Sequence, residues 1–157
     1  MTRSGADPSE GAAATDVRIV GEGDRHLLRS VAEGVFDRPV DDTLLAEFLG
    51  DPRHHLAVAV DDDTVVGMAS ALHYIHPDKP AELWINEVGV ADAARARGLG
   101  GRLVQALLDH GRLLGCGGAW VLTEPDNEAA RALYTGRGGR PQSAVLFEWS
   151  LADAPPT

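Results

Sequence analysis

Only one cysteine, Cys116, occurs in the 157 residues, which excludes an intrachain disulfide and a zinc site built on cysteines. It stands in Leu113-Leu114-Gly115-Cys116-Gly117-Gly118, with no base in its local sequence, and reads as a small buried residue. No apolar run approaches the ~20 residues that cross a bilayer, so no membrane partner is expected. Met1 to Thr15 lack the apolar segment of a secretory signal, and a cytoplasmic location is expected. Basic residues are few: 14 Lys and Arg against 24 Asp and Glu give a formal net charge of −10. Phosphate backbones need a basic face, so nucleic acid is not an expected partner, whereas cationic small molecules suit this charge.

Metal sites are also missing from the pattern. His54 and His55 are adjacent, and His73 and His76 lie three apart at a strand end, an offset that points side chains away from each other. Loop or surface roles are expected for the six histidines. The triplet Asp61-Asp62-Asp63 reads as a turn between two apolar runs.

What is present is a single domain with 44% hydrophobic residues, long enough for one continuous core. Residues 1–15 lack periodicity and read as a disordered tail, 16–151 as the domain, and 152–157 as a flexible tail. Val17–Val20 alternates as a first strand. Asp24 can cap a helix through about Phe36, and Asp41 or Asp42 a second one carrying Leu44, Leu45, Phe48 and Leu49. Strands follow at His55–Val60, Thr64–Tyr74 and Ala81–Val90. A long helix runs to about Leu114, with Leu99, Leu103, Leu107 and Val104, Leu108 at the four-residue spacing of a buried face. Ala119–Thr123 is a fifth strand, Asn127 caps a helix through Tyr134, and Ala144–Leu151 is a last strand. The order β-α-α-β-β-β-α-β-α-β describes an α/β (α+β) mixed sheet with helices on its faces.

The most informative stretch joins the strand ending at Val90 to that long helix: Arg95-Ala96-Arg97-Gly98-Leu99-Gly100-Gly101-Arg102. The first N–H groups of a helix lack intrahelical partners and carry the positive end of its dipole, so a Gly-rich turn leading into a helix can hold an anion. Arg95, Arg97 and Arg102 add charge beside it. A Walker loop would need Gly-Lys-Ser/Thr, and a dinucleotide fingerprint would need a third glycine where Leu103 stands. The alternative is an ordinary strand-to-helix turn with solvated arginines.

Arg95-x-x-Gly98-x-Gly100 resembles the pyrophosphate-binding loop of the GNAT N-acetyltransferase superfamily. Asn127-Glu128-Ala129-Ala130-Arg131-Ala132-Leu133-Tyr134 resembles that superfamily's Asn-x-x-Ala-x-x-Leu-Tyr pattern at each specified position. The resemblance spans about Val17 to Leu151 and implies the GNAT fold with a splayed strand pair, acetyl-CoA as cofactor, and acetyl transfer to a primary amine. It further implies that Arg95, Arg97, Gly98, Leu99, Gly100, Gly101 and Arg102 hold the pyrophosphate. Backbone N–H groups around Val88 and Val90 would meet the pantetheine arm and thioester oxygen, Asn127 the cofactor arm, and Tyr134 the sulfur as general acid. After Tyr134 the chain departs from the family: Arg137 and Gly139 stand where apolar anchors are usual.

Such a transfer needs a base for the ammonium, a donor for the carbonyl oxygen and an acid for the leaving thiolate. Glu87 interrupts the apolar run Trp84–Val90, where burial would raise its pKa and make it the base; the alternative is a solvated strand residue. Gly89 suggests a bulge or a close backbone approach. Scattered identities resemble the aminoglycoside 3-N-acetyltransferases of the gentamicin-modifying type. An acidic mouth of Glu82, Glu124, Asp126, Glu128 and Glu148, with Tyr74, would suit a cationic small-molecule amine. Polyamines, amino-acid-like amines or a protein N-terminus remain open as acceptors, as do a non-catalytic acetyl-CoA sensor and a generic phosphate-ligand module. An exposed last strand points to a homodimer.

Overall fold

The computed structural model describes residues 14–152, so most of the two expected tails lies outside it. Five strands, β1 (Asp16–Ile19), β2 (His54–Asp61), β3 (Thr64–Tyr74), β4 (Glu82–Val90) and β5 (Gly118–Val121), pair in chain order. The first three pairings are antiparallel and β4–β5 is parallel. The β2–β3 hairpin turns on Asp62 and Asp63, both at positive φ, a conformation Asp tolerates better than most side chains. Thr15, at the edge of the expected tail, is buried.

One sheet face is covered by α2 (Leu99–Leu113). Leu103 and Leu107 are fully buried there with Leu83 and Val65, and burying a leucine completely stabilises by roughly 1.5–3 kcal/mol. The four-residue spacing read from the sequence is therefore the packed face. Gly111 lets α2 lie close to β4, since a Cβ there would come 3.0 Å from Leu83.

The opposite face takes α1 (Asp42–Gly50) and the segment before it. Asp41 caps α1, accepting N–H bonds from Thr43 and Leu44 at 2.8 and 2.9 Å. The expected helix from Asp24 to about Phe36 does not form. A 3-10 helix spans Glu22–Arg29, and the chain then bends to the sheet, where Ala32 N–H bonds the Val65 carbonyl and Val65 N–H the Ser30 carbonyl. Those inter-segment bonds, with Gly34 at φ +81°, satisfy the backbone in place of a helical ladder.

The C-terminal third differs as well. α3 (Glu128–Gly136) has no fully buried residue. Residues 144–151, expected as a last strand, form no sheet pairing with any of the described residues, and Val145, Leu146, Phe147, Trp149 and Leu151 are 70–94% exposed. Alternation supplies strand propensity, yet a strand forms only where an edge accepts it.

Candidate active site

Strand β4 carries the candidate site, and its two halves have different neighbours. From Glu82 to Ile85 it pairs with β5, and that pairing ends at Ile85–Val121. From Asn86 to Val90 no strand among the described residues lies on that side, leaving alternate backbone groups without a sheet partner; the Val90 carbonyl accepts from Arg95 Nε at 3.4 Å. The gap is the splayed strand pair expected from the family pattern.

An irregularity in the β3–β4 register helps to re-aim β4. Ser70 pairs with Glu87 and Ala71 with Ile85, so Asn86 is the extra residue. A β-bulge shifts the alternation of side chains by one. Leu83 and Ile85 face α2 before it, and Val88 and Val90 face α2 after it, while Glu87 and Gly89 share the other face with Trp84. The bulge thus falls at Asn86, and Gly89, which pairs regularly with Met68, is the close approach. A Cβ on Gly89 would stand 2.2 Å from the Val35 carbonyl oxygen.

The loop into α2 has the geometry of an anion cradle. Ala96 and Gly98 take positive φ, 61° and 71°, and Arg102 N–H bonds the Gly98 carbonyl at 3.2 Å. The N–H groups of Leu99, Gly100 and Gly101 precede that first helical bond and have no intrahelical partner. Gly100 faces α3, with Leu133 Cδ1 2.6 Å from where a Cβ would be.

The three arginines divide. Arg97 pairs with Asp61 at 3.0 Å and also bonds Thr15, and Arg102 donates to the Thr15 carbonyl at 2.9 Å. Both tie the loop to the start of β1. Arg95 is exposed and pairs with Asp92. A cation the sequence did not place here, Arg137, lies against Gly101, its Nη2 2.7 Å from a would-be Cβ; its position three residues past the Tyr134 motif gave no hint of that reach.

Tyr134 is half-buried and lines an apolar cleft with Ile85, Val104, Leu108 and Val121. Burial raises its pKa above the usual phenol value, so it holds its proton at neutral pH. Asn127 caps α3, accepting the Ala130 N–H at 3.1 Å, which leaves its amide NH2 free to donate. Cys116 is partly buried, and desolvation raises its pKa, which keeps it a thiol.

Glu87 is exposed, so the expected burial is absent. Its cross-strand neighbour Ser70 is buried with an unpartnered hydroxyl on the same face. Farther along that face, Trp84 and Trp120 stack at 5.3 Å and 11°. Trp120 Nε1 donates to Tyr74 Oη at 3.2 Å, and Tyr74 donates to Glu82 at 2.9 Å. This aromatic floor escaped the sequence reading, because the partner tryptophan is 36 residues away. An open hollow of about 470 Å³ is framed by residues 28–40 alone, among them Leu28, Val31, Phe36, Asp37 and Arg38, in the segment whose Val35 sits on Gly89.

The expected acidic mouth is dispersed. Glu82 stands at the start of β4, where Lys79 and Tyr74 hold its pKa below the ordinary value and Lys79 partners its charge at 2.7 Å. Glu124, Asp126 and Glu128 lie past the other end of β5, whose four residues alone put about 10 Å between them. Glu148 is in the unpaired segment.

Three of the six histidines also depart from the surface or loop roles expected of them. His55 Nε2 lies 2.7 Å from His73 Nδ1, and His55 Nδ1 lies 3.0 Å from His110 Nε2. The two contacts use opposite nitrogens of His55, so the chain is a hydrogen-bonded string, not a chelate. Burial, then the neighbouring His110 and His73, push the His55 pKa down to about 4.

The acetyltransferase (GNAT) family model matches residues 25–138. The chain belongs to this family. It is 34% identical over 90 residues to the N-alpha-acetyltransferase RimI of Mycobacterium tuberculosis, covering 57% of this chain and 54% of that one. It is 36% identical over 83 residues to an L-2,4-diaminobutyric acid acetyltransferase of Streptomyces coelicolor, covering 50% and 49%. The chain thus spans about half the length of the curated relatives it matches.

Solved GNAT structures share the fold. An aminoglycoside acetyltransferase, meta-AAC0020, from an uncultured soil metagenomic sample superimposes with a TM-score of 0.76 at 16% identity, over 87% of this chain and 96% of that one. AAC(6')-Iy in complex with a bisubstrate analogue gives 0.72 at 21%, over 88% and 99%. These neighbours do not single out the 3-N branch suggested by the sequence.

Proposed function

We propose that this GNAT protein is an acetyl-CoA-dependent N-acetyltransferase acting on a primary amine of a cationic small molecule, with an aminoglycoside as the leading acceptor. The observation that carries the reading is the open edge of β4 from Asn86 to Val90 beside the partner-free N–H groups of α2. A linear arm ending in a pyrophosphate fits that combination, since the edge offers backbone pairing and the helix start offers N–H groups to phosphate. Leu99, Gly100 and Gly101 would hold the phosphates, with Arg95 nearby, and Val88 and Val90 the arm; Asn127 can donate its amide to it. Acetyl-CoA supplies the acetyl thioester.

Glu87, on the acceptor face, takes the ammonium proton directly or through a water at the Ser70 hydroxyl. A backbone N–H of the Val88–Val90 edge donates to the developing oxyanion. Tyr134, a phenol that keeps its proton at neutral pH, donates to the leaving sulfur. Attack is direct and no acyl-enzyme forms, since the one cysteine, Cys116, sits beside Gly111, at the far end of α2 from the Gly98–Gly101 turn. Stacked Trp84 and Trp120 next to Glu82 suit a cationic sugar, because aromatic faces attract both sugar rings and ammonium groups. The relatives named for RimI and for diaminobutyric acid keep a protein N-terminus and an amino-acid-like amine as second readings.

The test is release of CoA thiol from acetyl-CoA over a panel of gentamicin-type aminoglycosides, spermidine, diaminobutyrate and an N-terminal peptide, with mass spectrometry of the product. Acetylation confined to the aminoglycosides is expected, and the position of the acetyl distinguishes the 3-N site from others. Turnover of the peptide or diaminobutyrate alone replaces the acceptor, and binding without turnover replaces the enzyme reading with a sensor. Glu87→Gln is expected to slow the reaction most at low pH, where free amine is scarce; an unchanged pH profile removes Glu87 as base.

A further inference from the structure

Of four arginines in or against the turn into α2, three are occupied by the protein itself. Arg95 pairs with Asp92, Arg97 with Asp61, and Arg102 donates to the Thr15 carbonyl. Arg137 has no carboxylate partner among the described residues. Its guanidinium nevertheless has a defined seat: Nη2, Nε and Cζ lie 2.7, 2.8 and 3.1 Å from where a Cβ on Gly101 would stand. The head group itself takes the space that a side chain at 101 would fill.

The backbone aims it there. Arg137 ends α3, and Gly138 turns the chain at φ +86°. The Arg137 and Gly139 N–H groups both bond the Tyr134 carbonyl, at 3.1 and 2.9 Å, and a Cβ on Gly139 would stand 2.9 Å from that same oxygen. Arg137 and Gly139, the two positions where the chain departs from the family pattern, are therefore parts of one turn: the glycine lets the chain fold over Tyr134, and the arginine leaves it toward α2. A cation at the C-terminal end of α3 is favoured by that helix's dipole, whereas the first turn of α2 presents the positive end of its own. Guanidinium and helix start are thus adjacent with the same sign, an arrangement that an anion between them turns from repulsion into attraction.

We propose that Arg137 is a cofactor-binding residue of this chain, its guanidinium taking the pyrophosphate of acetyl-CoA together with the N–H groups of Leu99, Gly100 and Gly101. Its planar fork of donors matches phosphate oxygens in pairs, which an apolar residue at 137 cannot do. The contact also has a mechanical effect. α3 has no fully buried residue, and it meets the first turn of α2 through Leu133 at Gly100 and Arg137 at Gly101. By holding phosphate jointly with α2, Arg137 fastens α3 to it, and with α3 the Tyr134 side chain one turn earlier. This rests on acetyl-CoA binding at the α2 turn and not on which amine accepts the acetyl group.

Titration calorimetry of the full chain and of its Arg137→Leu variant with CoA, dephospho-CoA and pantetheine tests it without turnover. The variant is expected to raise the Kd for CoA and for dephospho-CoA about ten-fold or more, to leave pantetheine unchanged, and to differ less from the unaltered protein as salt is raised. A loss confined to CoA moves the contact to the 3'-phosphate, and an equal loss for pantetheine makes Arg137 a packing residue; either overturns the proposal. An unaltered protein that binds no CoA overturns the cofactor reading as well, whereas one that binds CoA no more tightly than the variant overturns this proposal alone. Arg137→Gln, which keeps a polar side chain, is expected to show the same selective loss, and full affinity in it overturns the proposal. CoA is also expected to slow hydrogen exchange of the α3 amides in the unaltered protein and not in Arg137→Leu; equal protection in both removes the fastening of α3.

Discussion

The two flanks of β4 are built differently. Toward β3 it has a full antiparallel partner and α2 packed beneath, with Leu83, Leu103 and Leu107 fully buried. Toward β5 it has four paired residues, an open cleft and a helix with no fully buried residue. The packed flank fixes where β4 lies, and the open flank leaves backbone groups and Tyr134 available to a ligand. Packing and the proposed chemistry therefore fall to different residues, although one strand serves both.

That division can be broken by substitution, taken from the largest loss of stability to the smallest. Leu103→Ala leaves a cavity in a fully buried place and is expected to cost about 2–5 kcal/mol in urea unfolding; a loss under about 1 kcal/mol would mean that the flank is not the stable half. Gly89→Ala drives a Cβ into the Val35 backbone, where neither partner is a flexible side chain that can swing away. A loss of about 1–3 kcal/mol is expected by thermal melting.

Acid should reach the packed flank through His55. Its folded pKa, about 4, lies below the ordinary histidine value of about 6.5, so the unfolded chain binds the proton more readily. This histidine's contribution is complete above about pH 6.5 and is lost as pH falls through 4. The melting temperature is expected to drop over that window, and His55→Gln should flatten the drop. Tyr134→Phe, on the open flank, is expected to change stability by no more than about 0.5 kcal/mol while slowing turnover at least ten-fold, a general acid contributing roughly 10²–10⁴. Equal turnover would reduce the hydroxyl to packing.

The fold was largely legible because its signals are local. Leucines at four-residue spacing set α2, Asp41 the start of α1, the Asp triplet the hairpin, and Asn127 the start of α3. Two failures have a shared cause. Residues 30–36 carry an apolar helical pattern, yet the Val65 edge bonds them instead; residues 144–151 alternate like a strand, yet no edge in the same chain receives them. In the first a tertiary partner overrode the local pattern, and in the second the described residues supply none for the pattern to pair with. At the site, the Gly98–Gly101 turn and Tyr134 follow from sequence because a motif is contiguous. The bulge at Asn86, the Trp84–Trp120 stack, the His55–His73–His110 string and the place of Arg137 do not, since each joins residues from different elements.

By itself, then, the sequence determined the order of elements from α1 to α3, the family and the Gly-rich turn into α2, all of which depend on spacing along the chain. Tertiary structure alone decided that Glu87 is exposed, that Arg97 and Arg102 hold β1, and that the acids do not form one mouth. Those outcomes depend on register and burial: a single extra residue in β4 reverses which face every later side chain takes, and no composition records it.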